Sequence, residues 1–180
     1  MEPCLKLRYP LSGANVWNLE RDWPLPGTVY TQYYLGRENT LSLSSGASGG
    51  DTIDYDPDDP CPTLGGNNCC GTPTIAGPKD QRPLEARCDV QSYTSPPLAE
   101  ALAIAGPVTI SLRVGTTAAS MDWMVKLVDV HPTGEAYNIC EGIVRCNTQA
   151  RKPQIAPRPS LLICGFALAT LLSFALVARL

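Results

Sequence analysis

The stretch YDPDDPCPTLGG at residues 55–66, continued by GPKDQRPLEAR at residues 77–87, decides the fold. Proline lacks an amide donor and glycine carries a backbone entropy cost, so a segment this rich in both cannot form a regular helix or a central strand. Strand-like sequence lies on both sides of it. Loops of this length are usually functional or disordered. Because strand-like segments lie on both sides of this one, we interpret residues 55–95 as a connection that crosses a β domain and is fixed at both ends.

Alternating apolar residues and β-branched runs predict strands before and after this loop. The clearest pattern places Val108, Ile110, Leu112 and Val114 on one face and leaves the polar residues between them on the other. These patterns favour an all-β fold. The predicted strands are residues 28–35, 41–43, 90–95, 108–114, 121–130 and 135–146, the last two joined by a turn at residues 131–134.

Charge and length exclude one class of partner. The 180 residues suit a single domain with a sizeable core. The net charge is −3, the isoelectric point is near 5.1 and the basic residues are scattered along the chain. A nucleic-acid-binding domain shows a clustered basic surface instead. We therefore exclude nucleic acid as a primary partner.

Eight cysteines leave the redox compartment open. Residues 1–6 (MEPCLK) carry an acid where a basic n-region belongs and no apolar stretch, so we expect no cleavable signal before the cysteines. The cysteine spacings do not match the paired ligands of a zinc site, and we expect no metal and no cofactor. Adjacent Cys69 and Cys70 can form a strained vicinal disulfide, although free or structural thiols are the favoured interpretation. The cysteines are at positions 4, 61, 69, 70, 88, 140, 146 and 164.

A formal match to a serine-hydrolase motif lies at residues 46–50 (GASGG), with Ser48 at the nucleophile position and His131 later in the chain. A nucleophile elbow needs a buried strand before the serine and a helix after it. Here a Ser/Gly tract precedes Ser48, and strand-like sequence follows it at residues 51–55. His131 lies in a predicted hairpin turn. We therefore expect no catalytic residue in this chain.

An acidic run at residues 51–59 raises the possibility of a calcium site. A calcium-binding loop of the EF-hand type that begins at Asp54 requires glycine at its sixth position and glutamate at its twelfth. Asp59 and Gly65 occupy those positions. We interpret the carboxylates as turn residues that accept backbone hydrogen bonds.

Many short motifs in one order carry a resemblance over residues 15–147. The chain resembles the C-terminal domain of X-Pro dipeptidyl-peptidases and cocaine-esterase-type serine hydrolases. The motifs are Trp17, Asp22–Leu25, Tyr55–Pro57, Asp59–Pro60, Pro62–Gly66, Gly77–Pro78, Asp80–Arg82, Asp89–Val90, Tyr93–Ser95, Met121–Trp123, Lys126–Val130 and Glu141–Arg145.

The resemblance implies a partial jelly-roll β-sandwich, of the galactose-binding-like type, packed against an α/β-hydrolase catalytic domain that lies before residue 1. In such enzymes the Ser-His-Asp triad belongs to the catalytic domain, so this chain is expected to be inactive alone. Five residues are the candidates for the domain interface or for anchoring the loop. They are Trp17, Trp23, Asp80, Gln81 and Arg82.

The C-terminal segment departs from the family pattern. Residues 161–178 contain no charge, and this length just meets the threshold for a membrane-spanning helix. We predict a hydrophobic helix here. Three interpretations remain open for this segment. It anchors the chain in a membrane, it covers the open part of an incomplete sandwich, or it is a tail that arose from truncation or a frameshift and has no evolved fold. The compartment is accordingly either a membrane, through a single pass, or the cytoplasm.

The expected organisation is an N-terminal remnant at residues 1–15, a partial jelly-roll domain at residues 16–148, a linker at residues 149–160 and the hydrophobic tail. The expected function is that of an accessory non-catalytic domain of a hydrolase that acts on acyl esters, amides or X-Pro dipeptides. The alternative is a stand-alone carbohydrate- or ligand-binding module on the same fold. Exposed coplanar aromatic rings favour the module, and an exposed apolar patch favours the domain interface.

Overall fold

A computed structural model describes residues 7–46, 49–67, 76–147, 161–168 and 172–179. The chain is all-β, as predicted, with one single-turn α-helix and one short 3₁₀ turn at Arg37–Asn39 in this described part. In chain order the elements are β1 (Leu7–Leu11), β2 (Val16–Glu20), β3 (Tyr34–Leu35), β4 (Leu41–Ser42), α1 (Arg82–Glu85), β5 (Val90–Thr94), β6 (Leu102–Val108), β7 (Ser120–Val130), β8 (Ala136–Asn147), β9 (Leu161–Leu168) and β10 (Leu172–Arg179).

The main sheet is antiparallel and has the strand order β5-β10-β7-β8. The predicted hairpin of the two longest strands is confirmed: β7 and β8 pair from Ser120 opposite Asn147 to Val130 opposite Ala136. Gly134 in the connecting turn has φ +96, a conformation that glycine adopts without strain. Its amide donates to the carbonyl oxygen of His131 at 2.8 Å and closes the turn.

Three further sheets have two strands each, and they are formed by β1 with β2, β3 with β4, and β6 with β9. β1 falls in the segment that we expected to be an N-terminal remnant, and it pairs along its whole length with β2. It also contacts β9. The first residues of the described chain are therefore part of the β structure.

The core lies on both faces of the main sheet. On one face Tyr93 of β5 and Leu127 of β7 pack with Leu41. On the other face Val90 and Met124 pack with Cys61 and Leu84, which belong to the long loop and to α1. The parts of the long loop and of α1 that contain Cys61, Leu64 and Leu84 thus lie against one side of the sheet. This two-sided burial agrees with the apolar character of both faces of the β7 sequence.

The predicted C-terminal helix is wrong. Residues 161–168 and 172–179 form β9 and β10 instead. β10 lies between β5 and β7 and pairs with both, and β9 pairs with β6. A strand in the middle of a sheet that is covered on both faces has a continuous apolar sequence, and hydropathy alone does not distinguish it from a buried or membrane-spanning helix. No helix in the described residues is long and apolar enough to span a membrane.

Two other predicted strands are shorter than their sequences indicate. Of residues 28–35 only Tyr34 and Leu35 form a strand, and the strand pattern at residues 108–114 lies in a strand only at Val108, the last residue of β6. The alternation of apolar and polar residues shows which face of a segment is apolar, but the segment forms a strand only if a neighbouring segment pairs with it by hydrogen bonds. In the part of the chain that the structure describes, residues 29–33 and 109–115 have no such neighbour.

We predict that Ala175→Pro in β10 destabilises the chain by about 1–3 kcal/mol or more. Ala175 lies opposite Ser92 of β5 and Lys126 of β7, and proline removes the amide donor from a strand that is paired on both edges. The measurement is the free energy of unfolding in urea. The control is Val29→Pro, at a position that is 83% exposed and outside any strand. Equal stability of the two variants would contradict the central placement of β10.

Candidate loop-anchoring and docking site

The Asp80-Gln81-Arg82 motif lies where the long loop ends and α1 begins. The amide of Gln81 donates to the carbonyl oxygen of Ala136 at 2.7 Å, and Asp80 forms an isolated β-bridge with Tyr137. These contacts attach the loop to the first residues of β8. Pro83 occupies the first turn of α1, a position where the missing amide costs no helical hydrogen bond.

Gln81 is the centre of a buried hydrogen-bond network and is 1% exposed. Its Nε2 donates to the carbonyl oxygens of Leu64 and Lys79 at 3.0 and 2.9 Å and to Oδ1 of Asn138 at 3.1 Å. Its Oε1 accepts a hydrogen bond from Nζ of Lys126 at 2.8 Å. One side chain therefore joins two parts of the loop to β7 and β8.

Lys126 brings a charge into this network, although it is only 2% exposed. Its Nζ lies 4.0 Å from Oε2 of Glu141, whose other carboxylate oxygen accepts the amide of Asn67 at 3.3 Å. Glu85 is also close: burial raises the pKa of Glu85, and the charge of Lys126 opposes that rise. A buried ammonium requires such partners, since an isolated buried charge is strongly unfavourable.

Asp80 and Arg82 form a bidentate ion pair beside the buried glutamine. Nε of Arg82 donates to both carboxylate oxygens of Asp80, at 3.1 Å to Oδ1 and at 2.8 Å to Oδ2, and Nη2 donates to Oδ2 at 2.5 Å. The pair lowers the pKa of Asp80 to about 2, with a further contribution from the amide of Ala136. The Arg82 side chain is 53% exposed, so water screens the pair and its contribution to stability is small.

A second ion pair, which the sequence analysis missed, fixes the acidic start of the loop. Arg87 donates to both carboxylate oxygens of Asp89 at 2.8 and 3.0 Å and to the carbonyl oxygen of Asp59 at 2.6 Å. Asp56 accepts the amide of Asp58 at 2.9 Å in a local turn. The interpretation of these carboxylates as turn residues is thus confirmed at Asp56. The Arg-x-Asp spacing was visible in the sequence, but its distant partner at Asp59 was not.

The two tryptophans lie in different surroundings. Trp23 contacts Tyr9 edge to face at 6.5 Å between ring centroids, and its amide bonds to the side chain of Asp22. Trp17 on β2 is 59% exposed, and the guanidinium of Arg8 lies 4.5 Å from its ring centroid. Leu19, two residues further along β2, is 53% exposed. Trp17 and Leu19 therefore form an exposed apolar patch on one face of the β1–β2 hairpin.

Of Ser48 and His131, the two residues of the apparent hydrolase motif, the structure describes only His131. Ser48 lies outside the described residues, as do Cys69 and Cys70. His131 lies in the β7–β8 turn, where its Nε2 is 3.3 Å from Oδ2 of Asp129 and its ring contacts Tyr137.

The thiols that the structure describes are not paired with one another. Cys61 is buried, Cys88 is exposed, and Cys140 and Cys146 are half-buried. Burial raises the pKa of Cys140 to about 12, which keeps this thiol protonated. Within residues 7–46, 49–67, 76–147, 161–168 and 172–179, no three potential ligands are arranged to hold a metal ion.

A family model described as the X-Pro dipeptidyl-peptidase C-terminal non-catalytic domain matches residues 6–159. The chain belongs to this family. The match includes the long loop, the Asp80-Gln81-Arg82 motif and both tryptophans of the candidate site. The buried network around Gln81 is therefore part of an X-Pro dipeptidyl-peptidase C-terminal domain.

Individual relatives and solved structures agree with this assignment. The chain is 42% identical over 150 residues to the cocaine esterase of Rhodococcus sp. (strain MB1 Bresler), covering 78% of this chain and 26% of the esterase. It thus spans about a quarter of that relative.

Two solved structures share the fold at low sequence identity. An α-amino acid ester hydrolase has a TM-score of 0.76 at 21% identity, and an aminopeptidase from a marine sediment Thaumarchaeota archaeon has a TM-score of 0.68 at 22% identity. Each similarity covers 96% of this chain and 33% of the other.

We predict that Gln81→Ala destabilises the domain by about 2–4 kcal/mol, because it removes an acceptor from the buried Lys126 ammonium and a donor from two backbone carbonyls. Urea unfolding measures the change. Gln32→Ala is the matched control, since Gln32 is exposed and forms no hydrogen bond in the described part of the chain. A Gln81→Ala variant as stable as the Gln32→Ala variant would show that the network does not hold the loop.

We predict that the stability difference between the unmodified domain and Asp80→Asn depends on pH. The folded pKa of Asp80, about 2, lies below its ordinary value of 3.8, so the carboxylate stabilises the fold above pH 4, and this contribution disappears as the pH falls towards 2. Thermal unfolding across this range measures it. Asp54→Asn, at an exposed position, is the control. A difference that is constant from pH 2 to pH 6 would exclude this role of the ion pair.

Proposed function

We propose that this chain is the accessory domain of a serine hydrolase and packs against an α/β-hydrolase domain that carries the Ser-His-Asp triad. The single observation that supports this proposal most is the family match over residues 6–159 to a domain described as non-catalytic. A jelly-roll β-sandwich of the galactose-binding-like type is the proposed architecture. The main sheet, which is apolar on both faces and covered by the long loop on one side, is consistent with it.

We propose that the complete enzyme hydrolyses acyl esters, amides or X-Pro dipeptides. The proteins that this chain is similar to are named as a cocaine esterase, an α-amino acid ester hydrolase and an aminopeptidase. All three names describe cleavage of an acyl carbon from oxygen or nitrogen. The reaction common to them is the attack of an activated nucleophile on a carbonyl group. In the proposed enzyme the partner domain provides this nucleophile.

The proposed docking surface is the patch of Trp17 and Leu19 on the β1–β2 hairpin, with Trp23 behind it. Large exposed apolar side chains next to each other are typical of interaction sites. Carbohydrate binding fits this patch less well. A sugar stacks on the open face of an aromatic ring, and here the guanidinium of Arg8 lies over the ring of Trp17. We therefore favour a protein domain as the partner.

The proposed role of Asp80, Gln81 and Arg82 is to anchor the long loop. The backbone of a loop that covers a sheet needs internal hydrogen-bond partners, because water is excluded beneath it. Gln81 supplies donors to Leu64 and Lys79, and Asp80 accepts the amide of Ala136 at 3.2 Å. Fixing this loop keeps Cys61 and Leu84 against the main sheet.

We predict that the purified chain does not hydrolyse p-nitrophenyl acyl esters above the rate of buffer. The triad residues of the family belong to the other domain, and His131 has no positioned nucleophile beside it in the described part of the structure. A spectrophotometric assay of ester hydrolysis measures the rate, with Ser48→Ala as the companion variant. Hydrolysis by the unmodified chain that Ser48→Ala abolishes would refute the proposal.

We predict that Trp17→Ala weakens docking in a fusion of this chain to the catalytic part of the Rhodococcus cocaine esterase. Losing a large aromatic side chain from an interface costs about 1–3 kcal/mol, whereas truncation of an exposed residue changes the stability of the isolated domain by about 0.5 kcal/mol at most. Thermal inactivation of the fusion measures the loss at the interface, and thermal unfolding of the isolated chain measures the change in the stability of the domain.

The control for this experiment is Leu43→Ala, which truncates an apolar residue that is 62% exposed and lies outside the β1–β2 hairpin. The proposal requires a lower inactivation temperature for Trp17→Ala than for Leu43→Ala in the fusion. If both fusions inactivate at the same temperature as the unmodified one, the patch is not the docking surface.

A further inference from the structure

The outer face of the β1–β2 hairpin carries one positive charge among apolar side chains. In the register of the two strands, Arg8 lies opposite Leu19 and Pro10 lies opposite Trp17. Directly opposed residues project to the same side of a sheet, so these four side chains share one face. Tyr9, between Arg8 and Pro10, projects to the other side and is buried. Arg8 is therefore the charged member of an otherwise apolar face.

Arg8 lies over the ring of Trp17, with its guanidinium carbon 4.5 Å from the ring centroid. Trp17 is the diagonal neighbour of Arg8 across the strand pair, at a separation that a long side chain spans. The attraction between the cation and the ring restricts the arginine side chain without any carboxylate. Arg8 is thus held at one place on the face, with N–H donors that an acceptor on another molecule can approach.

The charge of Arg8 has no carboxylate partner among the residues that the structure describes. Glu20 of β2 lies opposite Leu7, so it projects to the other side of the hairpin. Three arginines elsewhere in the described chain each form an ion pair with an aspartate, and they are Arg82, Arg87 and Arg145. Arg8 differs from them because an aromatic ring, and not a carboxylate, holds it.

Docking of this face against another domain would remove water from Arg8. A charge that loses its water without gaining a partner is strongly unfavourable. A purely apolar partner surface would therefore fit Trp17 and Leu19 but not Arg8. The acceptor that matches a guanidinium best is a carboxylate, because its two oxygens accept two parallel N–H hydrogen bonds and its charge is opposite.

The hairpin lies close to the point where a preceding domain would join this chain. Such a domain is connected through the start of β1, and the matched family is described as a C-terminal domain. Six residues precede Leu7, and six extended residues span at most about 22 Å. Leu7 lies opposite Glu20, which is three residues, or about 10 Å, from Trp17 along β2. A short connection of this kind favours docking by raising the effective concentration of the two surfaces.

We propose that Arg8 selects the docking partner, and that the catalytic domain presents an Asp or Glu carboxylate to Arg8 beside an apolar surface for Trp17 and Leu19. This inference rests on the proposed function, since it names the partner chemistry of the docking surface proposed there. Trp17 then has two roles. It buries apolar area in the interface, and it orients the guanidinium towards the carboxylate.

The test uses the fusion of this chain to the catalytic part of the Rhodococcus cocaine esterase. Arg8→Glu places two carboxylates against each other, and it should shorten the half-life of thermal inactivation by at least about tenfold. Arg8→Gln, which removes the pair without adding repulsion, should shorten it less. Arg113→Glu is the matched control, since it makes the same charge change at an exposed arginine outside the hairpin. It should leave the half-life unchanged.

The partner carboxylate is identified by exchanging the two charges. Asp→Lys and Glu→Lys changes on the surface of the catalytic part are screened in the Arg8→Glu fusion. At least one of them should restore the half-life, because ammonium then faces carboxylate, and the same change should shorten the half-life when Arg8 is present. If no such change restores the half-life, the inference is overturned.

The outcomes separate this inference from the proposed function. If Trp17→Ala shortens the half-life of the fusion but Arg8→Glu behaves as Arg113→Glu does, the docking surface stands and the role of Arg8 is overturned. If neither Trp17→Ala nor Arg8→Glu has an effect, both proposals fail. Circular dichroism of the isolated variants verifies that the fold is retained. Ultracentrifugation of the isolated chain checks a second copy as partner, and a dimer that Arg8→Glu abolishes would also overturn the inference.

Discussion

The two hydrogen-bonded ladders of β10 hold the main sheet together. Residues 173–177 pair with β5 on one side, and residues 172–179 pair with β7 on the other. Without β10, β5 has no partner in the main sheet, and the β7–β8 hairpin has an open edge. Because both faces of this sheet contribute to the core, the position of the long loop and of its polar anchors follows from this one strand.

The buried polar network is the second constraint, and it explains how an irregular loop covers an apolar sheet. Gln81 provides both donors and an acceptor at a place from which water is excluded, and Lys126 and Asn138 reach it from β7 and β8. Cys61 and Leu84 bury apolar surface against the main sheet, whereas the hydrogen bonds determine how the loop is oriented on the sheet. These contacts support the proposed role of a structural anchor, and the family to which the chain belongs is described as non-catalytic.

Much of this arrangement could be predicted from local sequence. The β7–β8 hairpin, the long loop and the importance of residues 80–82 follow from apolar periodicity, proline content and motif order. The C-terminal strands could not, because eighteen uncharged residues are compatible with a central strand pair, a buried helix or a membrane span. The contact of Arg87 with Asp59 could not be predicted either, because two residues that are 28 positions apart leave no local pattern in the sequence. The strand predictions failed at residues 29–33 and 109–114, where a strand-like sequence has no hydrogen-bonding neighbour among the described residues.

The most direct test of the central claim is a set of nuclear Overhauser effects from the backbone of Leu176 in uniformly labelled protein. The account predicts contacts from Leu176 to both Gln91 and Val125, the residues opposite it in β5 and β7. A continuous series of contacts between residues three apart over residues 161–178, with none to β5 or β7, would show that the segment is a helix and would contradict the account.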